Sequence, residues 1–448
     1  MSGTRWIMGL ALLVIIIIGA QGLLCAQAQV QIARPLDGAT VRETVKIIVP
    51  ASSVPSGGYV SIEISGRRRS AMAKDPDSDT FIYQWDTKGL DPDARLPLDA
   101  RQPQEGAHTI AVQAYDAAGR KLGDPKEISV TVKNKAPELM PASGLLLRYT
   151  HKIGSSSKYR FRTETNLANI SGATELAATI GQAIEAADLV IAQSTEDLRP
   201  DGSALVRQKL DGAIKIGSGG RMVPIPNVKA KAAYRIEDGC GRTIGSIESI
   251  AEGTKVVVEM PNLPVQRVRI GDSWVDVDNV FQDWSSGSNM AMSCNSTLEG
   301  VEWEGGYPCA KIKTVFSGTK QLPNSPVLTE PVPIKGERIT YFAFQVGKVI
   351  NCDTSVTITA DVDPNTVTSM SDKLMSMYTS KFPSLSGAAA GPGGGPGGAG
   401  FEGGPPNESL PPGGEGMFRP NAPSGGSPSG GNRVKVTFEV KQTVELVH

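Results

Sequence analysis

The segment Val434-Lys435-Val436-Thr437-Phe438-Glu439-Val440 alternates apolar and polar residues without a break, and Val444 and Leu446 keep the same parity. Strict alternation places every second side chain on one face of a β-strand. The segment is therefore predicted to be an amphipathic strand of an antiparallel sheet. Its predicted partner is Thr354 to Val362.

The residues between these two strands then form an insertion, 364–431. Within it, Pro364 to Leu385 carries Met370, Leu374 and Met377 at a spacing that a short helix would explain. Gly387 to Gly431 is dominated by Gly, Pro, Ser and Ala, a composition that cannot bury enough apolar surface to fold. We expect a disordered loop, with a role as a surface tether or binding segment as the alternative.

Two hairpins precede the insertion. Asn295 to Trp303 and Tyr307 to Phe316 flank a Gly-containing turn, and Thr340 to Gln345 and Val349 to Ile358 flank Val346-Gly347-Lys348. Such pairs of β-rich runs around short turns are typical of antiparallel hairpins.

Earlier segments are also predicted to be strands. Asp201-Gly202-Ser203 is a predicted turn, followed by a strand over Ala204 to Ile216. Thr174 to Gln193 is ambiguous, because its apolar residues also fit a helix period and its Ala and Glu content favours helix.

Residues 29–134 contain short runs of β-formers separated by turn residues. Val30 to Ile32 opens the series, and Tyr59 to Ile64 and His108 to Ala114 alternate, with His108 on the inner face. Six or seven short strands in such a length predict a β-sandwich. The remaining predicted strands are Thr44 to Val49, Phe81 to Trp85 and Ile128 to Val132.

Two resemblances extend this interpretation. Residues 29–134 resemble bacterial immunoglobulin-like domains through Pro35, Gly38 to Val41, Trp85-Asp86-Thr87, Gly106 to Asp116 and Gly119. The later half is similar to a group of secreted bacterial β-rich proteins through Leu263-Pro264, Gly271 to Trp274, Thr297 to Gly300, Cys309 to Ile312 and Tyr341 to Phe344. These resemblances imply a fold, and the second one favours strand over helix for Thr174 to Gln193. They carry no activity or catalytic residues.

The expected fold is all-β. An immunoglobulin-like sandwich (29–134) and a linker (135–144) precede a larger curved antiparallel sheet, half-barrel-like, over 145–363 and 432–448. The insertion 364–431 interrupts that second domain.

Residues 1–28 have the pattern of a signal peptide. Arg5 precedes an apolar run from Ile7 to Ala20, and Ala26-Gln27-Ala28 predicts cleavage after Ala28. An uncleaved N-terminal anchor and a lipoprotein lipidated at Cys25 are the alternatives. We expect an extracytoplasmic protein, in the periplasm, at the cell surface or secreted, with no transmembrane segment after cleavage.

Cleavage would leave four of the five cysteines, which are disulfide candidates in an oxidising compartment, with the pairing left open and free thiols as the alternative. The candidates are Cys240, Cys294, Cys309 and Cys352.

Charge and histidine content limit the function classes. The formal net charge of −1 argues against nucleic-acid binding, which needs a concentrated basic surface. Three scattered histidines, His108, His151 and His448, argue against an imidazole metal site and leave few groups for histidine acid–base catalysis.

Acidic residues give two weak site hypotheses. Asp75, Asp77, Asp79 and Asp86 have a spacing related to calcium loops, although Thr80 stands where a sharp loop needs Gly. A solvated acidic loop is preferred. The pairs Asp276/Asp278 and Glu302/Glu304 could flank a glycosidic bond but are interpreted as the wet faces of strands. Three tryptophans that could stack on sugars are interpreted as core or sheet cover: Trp274, Trp284 and Trp303.

No catalytic motif or cofactor site is recognised. The leading hypothesis is a non-catalytic cell-envelope protein that binds a protein, glycan or lipid partner or serves as a structural module. A carrier holding a lipid or other apolar ligand on the concave face of the second domain is the first alternative. A glycan hydrolase is the second alternative.

Overall fold

The structure is a computed structural model, and it describes residues 30–89, 104–170, 186–218, 221–225, 230–247, 254–255, 258–283, 288–320, 331–362 and 434–447. Nearly all regular structure in these ranges is β-strand, with two short 3-10 helices at Ala51–Ser53 and Pro137–Leu139, so the all-β prediction is confirmed. Within the same ranges, no helix has the length and apolar character needed to span a bilayer. The predicted signal peptide, its cleavage site and the insertion 364–431 lie outside the described residues.

The chain divides into two compact units. The first comprises residues up to Ala142 together with Gly300–Cys309, and the second comprises Ser143–Glu299 and Ala310–His448. Gly300–Cys309 is the tip of a hairpin. The rest of the two hairpin strands is assigned to the second unit.

The first unit is a sandwich of two sheets. One sheet has the strand order β1-β8-β7-β3-β4, with β1 parallel to β8, and the other has the order β2-β6-β5. The strands are β1 Ala39–Val41, β2 Thr44–Pro50, β3 Tyr59–Ile64, β4 Arg67–Ala71, β5 Ala73–Asp75, β6 Thr80–Asp86, β7 Gly106–Tyr115 and β8 Lys121–Val132.

The alternating segments supply the core of this sandwich. Ile62 on β3 and Ile110 on β7 are fully buried, as their parity predicts. His108 lies on the same face as Ile110, packs edge-on against the Trp85 ring and shares a hydrogen bond with Ser65. The strand predicted at Val30 to Ile32 is wrong, because these residues are irregular and only Arg34 forms an isolated bridge.

The second unit is dominated by one open antiparallel sheet of thirteen strands, with a separate parallel pair, β14 and β17. Its strands are β9 Ser156–Ile170, β10 Ala186–Leu198, β11 Ala204–Leu210, β12 Ile214–Ser218, β13 Arg221–Ile225, β14 Ala230–Lys231, β15 Ala233–Glu237, β16 Thr243–Ile247, β17 Thr254–Lys255, β18 Ser273–Asp283, β19 Ser288–Glu304, β20 Tyr307–Lys320, β21 Val332–Ala343, β22 Lys348–Val362 and β23 Val434–Val447.

The path through this sheet is β16-β15-β11-β10-β9-β23-β22-β21-β20-β19-β18. The strand β23 pairs with β22 from Val434↔Val362 to Glu445↔Asn351, which confirms the predicted pairing. On its other side β23 pairs with β9. Hence the two halves of the sheet are joined through β23.

One of the earlier predictions changes, and another is confirmed over part of its length. The strand predicted over Ala204 to Ile216 is divided into β11 and β12, because residues 211–213 leave the ladder. The ambiguous segment Thr174 to Gln193 is strand from Ala186 onward, and the rest of it lies outside the described residues.

The ends of the open sheet are tied by side chains. Arg242, in the turn between β15 and β16, forms an ion pair with Asp276 on β18, the strand at the opposite edge. Asn262 lies near the same edge and donates its side-chain amide to the carbonyl of Val277. A sheet whose edges are connected in this way must be strongly curved, in agreement with the predicted fold.

Candidate functional site

A bulge interrupts the ladder beside β10. Asp188 pairs with Lys215 and Ile191 pairs with Leu210, so Leu189 and Val190 lie opposite the longer segment 211–214. The Asp211 amide donates to the Val190 carbonyl at 2.8 Å. Bulges bend a strand and re-aim its side chains, and they are frequent near binding sites.

A groove of about 500 Å³ lies at this bulge, within the usual size range of small-molecule sites. Four elements contribute to it: β9, β10, β23 and the segment from the bulge into β12. It is lined by Arg160, Asp188, Leu189, Val190, Ala213, Lys215, Glu445, Leu446 and Val447.

A two-point ion pair crosses the groove. Arg160 donates from Nε to Asp188 Oδ1 at 2.8 Å and from Nη2 to Asp188 Oδ2. These hydrogen bonds from Arg160, with the charges of Arg160, Arg162 and Lys215, hold the pKa of the Asp188 carboxyl below its ordinary value. The same pair raises the pKa of Arg160, with a smaller contribution from Glu445. Both side chains are thus charged at neutral pH.

The other charged groups flank this pair. Lys215 lies directly opposite Asp188 on the neighbouring strand, and Glu445 lies directly opposite Arg160. The nine lining residues combine two cations, two carboxylates and aliphatic walls, and include no histidine, cysteine or hydroxyl side chain. Such a set can bind a ligand reversibly and offers no activated nucleophile.

A second group of polar residues lies on the buried face of the same sheet. Arg338 on β21 forms an ion pair with Asp278 on β18, and both residues are buried. Arg338 pairs across the ladders with Thr314 and Thr354, and Thr314 shares a 2.9 Å hydrogen bond with Ser296. These contacts form a polar row that connects strands and is shielded from solvent.

Further along this face, Arg235 and Glu237 form a buried ion pair within β15. Burial, followed by the Glu237 charge, raises the pKa of Tyr159. Burial also raises the pKa of Tyr149, whose hydroxyl donates to the Pro261 carbonyl at 2.8 Å. Because burial favours the neutral form of both tyrosines, neither of them adds a charged group to the buried Arg235–Glu237 pair.

Three of the four carboxylates proposed for glycan hydrolysis form ion pairs. Asp276 pairs with Arg242, Asp278 with Arg338, and Glu304 with Lys88. The assignment of Asp278 to a wet strand face is wrong, because this residue is 6% exposed and its charge is matched by a buried guanidinium.

Two of the three tryptophans that could stack on sugars, Trp303 and Trp274, lie within the described residues. Arg42 lies over the Trp303 ring, 3.7 Å from its centroid, so this ring is covered. Trp274 is half-buried and its indole N–H has no hydrogen-bond partner within the described ranges. Trp284 lies outside those ranges.

All four disulfide candidates are free and buried, so the expectation of disulfides is wrong for this structure. Burial raises the pKa of Cys294 to about 11, and it also raises the pKa of Cys309 and Cys352. Protonated, buried thiols of this kind act as small apolar side chains. The corrected residues are Cys240, Cys294, Cys309 and Cys352.

The weak calcium candidates do not form a site. Across the described part of the chain, no three His, Cys, Asp or Glu side chains are grouped to hold a metal ion. Asp75 accepts hydrogen bonds from Ser78 and the Asp77 amide, and Asp79 pairs with Lys74 at 3.2 Å. Asp86 caps the following turn by accepting from the amides of residues 88 and 89.

The groove was not predicted from the sequence. The available signal is Asp211-Gly212, a turn dipeptide inside the segment predicted as a continuous strand, with Gly212 at φ +98°. The groove's charged residues come from four strands, and no local pattern brings them together.

No protein-family model matches the chain, and the search of curated proteins finds no match. The groove, its charges and its walls are therefore the basis on which function is inferred.

Proposed function

We propose that this chain is a non-catalytic binding protein of the extracytoplasmic cell envelope, and that it holds a small ligand in the groove beside the bulge. The groove itself carries this proposal, since it combines a suitable volume with aliphatic walls and a fixed Arg160–Asp188 pair. A few placed polar groups among apolar ones are the usual composition of a ligand site.

Two further observations support binding over catalysis. Three of the four acidic residues considered for a glycan hydrolase, Asp276, Asp278 and Glu304, form ion pairs with arginine or lysine. Burial raises the pKa of three cysteine thiols, which disfavours the thiolate that nucleophilic catalysis requires.

The cellular location is inferred from sequence. Arg5, the apolar run Ile7 to Ala20 and Ala26-Gln27-Ala28 support export. The sandwich of the first unit, with its resemblance to bacterial immunoglobulin-like domains, supports a role as a structural or adhesive module beside the ligand-binding unit.

Native mass spectrometry of the full chain purified from its own envelope fraction tests the proposal. We expect a bound mass that leaves on denaturation, and that is reduced when Arg160 is replaced by Gln. The matched control is Arg207→Gln, an arginine that does not line the groove. A bare chain under native conditions, with no added ligand or envelope partner retained, would contradict the proposal.

A second candidate function is a carrier of an apolar ligand on the buried face of the large sheet. It is favoured by one apolar cluster that spans six strands, β18 to β23, at the sheet end where Val362 and Val434 lie. In this case the released mass would be extracted by organic solvent, and Arg160→Gln would leave its binding unchanged. The cluster contains Val280, Met292, Cys294, Phe316, Val332, Ile334, Val356, Ile358, Ala360, Val434, Val436 and Val440.

A further inference from the structure

We infer that the groove binds a short peptide of three or four residues that carries both a free amino group and a free carboxylate. This inference rests on the proposed function and specifies its ligand class. The peptide carboxylate lies at Lys215, its ammonium group lies at Glu445, and an aliphatic side chain contacts the apolar wall.

The order of charges across the sheet carries the inference. The strands follow the order β12, β10, β9 and β23, and they present Lys215, Asp188, Arg160 and Glu445, respectively, to the groove. The signs therefore alternate from one strand to the next. A ligand that spans the groove meets a cation at one end and a carboxylate at the other.

The two central charges are already matched. Asp188 uses both carboxylate oxygens to accept from Arg160. Neither Lys215 nor Glu445 has an ion-pair partner within 4 Å among the residues that the structure describes. The outer charges are thus available to a ligand, whereas the inner pair forms a neutral floor between them.

The separation of the outer charges selects the length of the ligand. Neighbouring strands lie about 4.8 Å apart, so three strand intervals place the backbones that carry Lys215 and Glu445 roughly 14 Å apart. An extended peptide advances about 3.3 Å per residue, so three or four residues bring its two termini near these side chains. A single amino acid is too short to reach both.

The walls select the side chain. Val190, Ala213 and Val447 line the groove. Each of them is aliphatic, so burying aliphatic surface of the ligand against them favours binding. A Leu or Ala side chain fits this surface better than a charged one.

Titration of the full chain with the tripeptide Ala-Leu-Ala tests the inference by isothermal calorimetry. Two blocked forms, the N-acetylated and the C-amidated peptide, each lack one terminal charge. We expect Lys215→Gln and Glu445→Gln each to weaken binding of the free tripeptide by about tenfold, as for a lost hydrogen bond to a charged group. Lys209→Gln and Glu439→Gln, exposed residues of β11 and β23 outside the groove, are the matched controls.

The blocked peptides assign each terminus. The Glu445→Gln variant should bind the acetylated and the free peptide with equal affinity. The Lys215→Gln variant should bind the amidated and the free peptide with equal affinity. Two results would overturn the inference and leave the proposed function standing. In the first, the tripeptide binds and neither variant weakens its binding. In the second, the tripeptide does not bind, while native spectra show another bound mass. A bare chain in native spectra, together with no tripeptide binding, would overturn both.

Discussion

Arg338 on β21 and Asp278 on β18 form a buried ion pair although two strands of the same sheet, β19 and β20, lie between them. In a flat sheet the two backbones would be roughly 14 Å apart. The contact therefore depends on the curvature of the sheet, and the pair in turn fixes that curvature.

Replacing one partner should destabilise the fold strongly. Because Arg338 would remain buried without its counterion, we expect Asp278→Asn to lower the free energy of unfolding by about 3–5 kcal/mol in urea titrations. The double variant Arg338→Met/Asp278→Leu should recover most of this loss. The control is Glu337→Gln in the exposed Lys313–Glu337 pair, with an expected effect below about 1 kcal/mol. An equally small effect for Asp278→Asn would show that the buried pair does not hold the sheet.

The central strand gives a second prediction. Val436 is fully buried on β23, between β9 and β22. A carboxylate at this position would have no partner in an apolar cluster, so Val436→Asp should lower the free energy of unfolding by at least about 3 kcal/mol. Thermal unfolding followed by circular dichroism measures this, with Glu439→Gln on the exposed face of the same strand as the control. Unchanged thermal stability of Val436→Asp would argue against the pairing described for β23.

The burial of the cysteine thiols predicts that they react slowly in the folded protein. Burial raises the pKa of Cys294 to about 11, so only a small fraction is thiolate at pH 8. We expect Cys240, Cys294, Cys309 and Cys352 to react slowly with a thiol reagent in the native protein and rapidly after denaturation. An intact mass two hydrogens lower for each bonded pair would instead reveal disulfides and contradict the structure.

His151 predicts a pH dependence. Burial lowers its pKa below the ordinary value of 6.5, so the unfolded chain binds a proton more readily than the folded one. Its contribution to stability is therefore present above pH 6.5 and is lost as the pH falls through 6.5 towards the folded pKa. Urea titrations between pH 7.5 and 5 should show this loss, and His151→Gln should reduce it. The charges of Glu237 and Arg235 also act on His151, so Glu237→Gln is a second test. If His151→Gln leaves the pH dependence of stability unchanged, that dependence belongs to another group.

Local patterns predicted much of the fold. The strict alternation from Val434 to Val440 predicted β23 and its pairing with β22, because parity and length suffice to identify a half-buried strand. The turns at 304–306 and near Gly347 likewise predicted two hairpins, whose strands the structure describes as β19 to β22.

Long-range contacts could not be predicted in the same way. The alternation of Asp276 and Asp278 looks like a wet strand face, and only the curvature of the sheet brings Arg338 to Asp278. The groove depends on the segment 211–214, which has two residues more than the part of β10 opposite it. This segment interrupts a strand that apolar periodicity predicted to be continuous. The cysteine count suggested disulfides, but a count contains no information on distance.

The position of β23 also has a consequence for the order in which the large sheet can form during synthesis. In the strand pairing of the described residues, the half of the sheet from β16 to β9 is joined to the half from β22 to β18 by residues 434–447. A ribosome must therefore synthesise the whole 363–433 segment before the strand that unites them exists. Until then the large sheet stays incomplete, because its two halves lack the strand that lies between them.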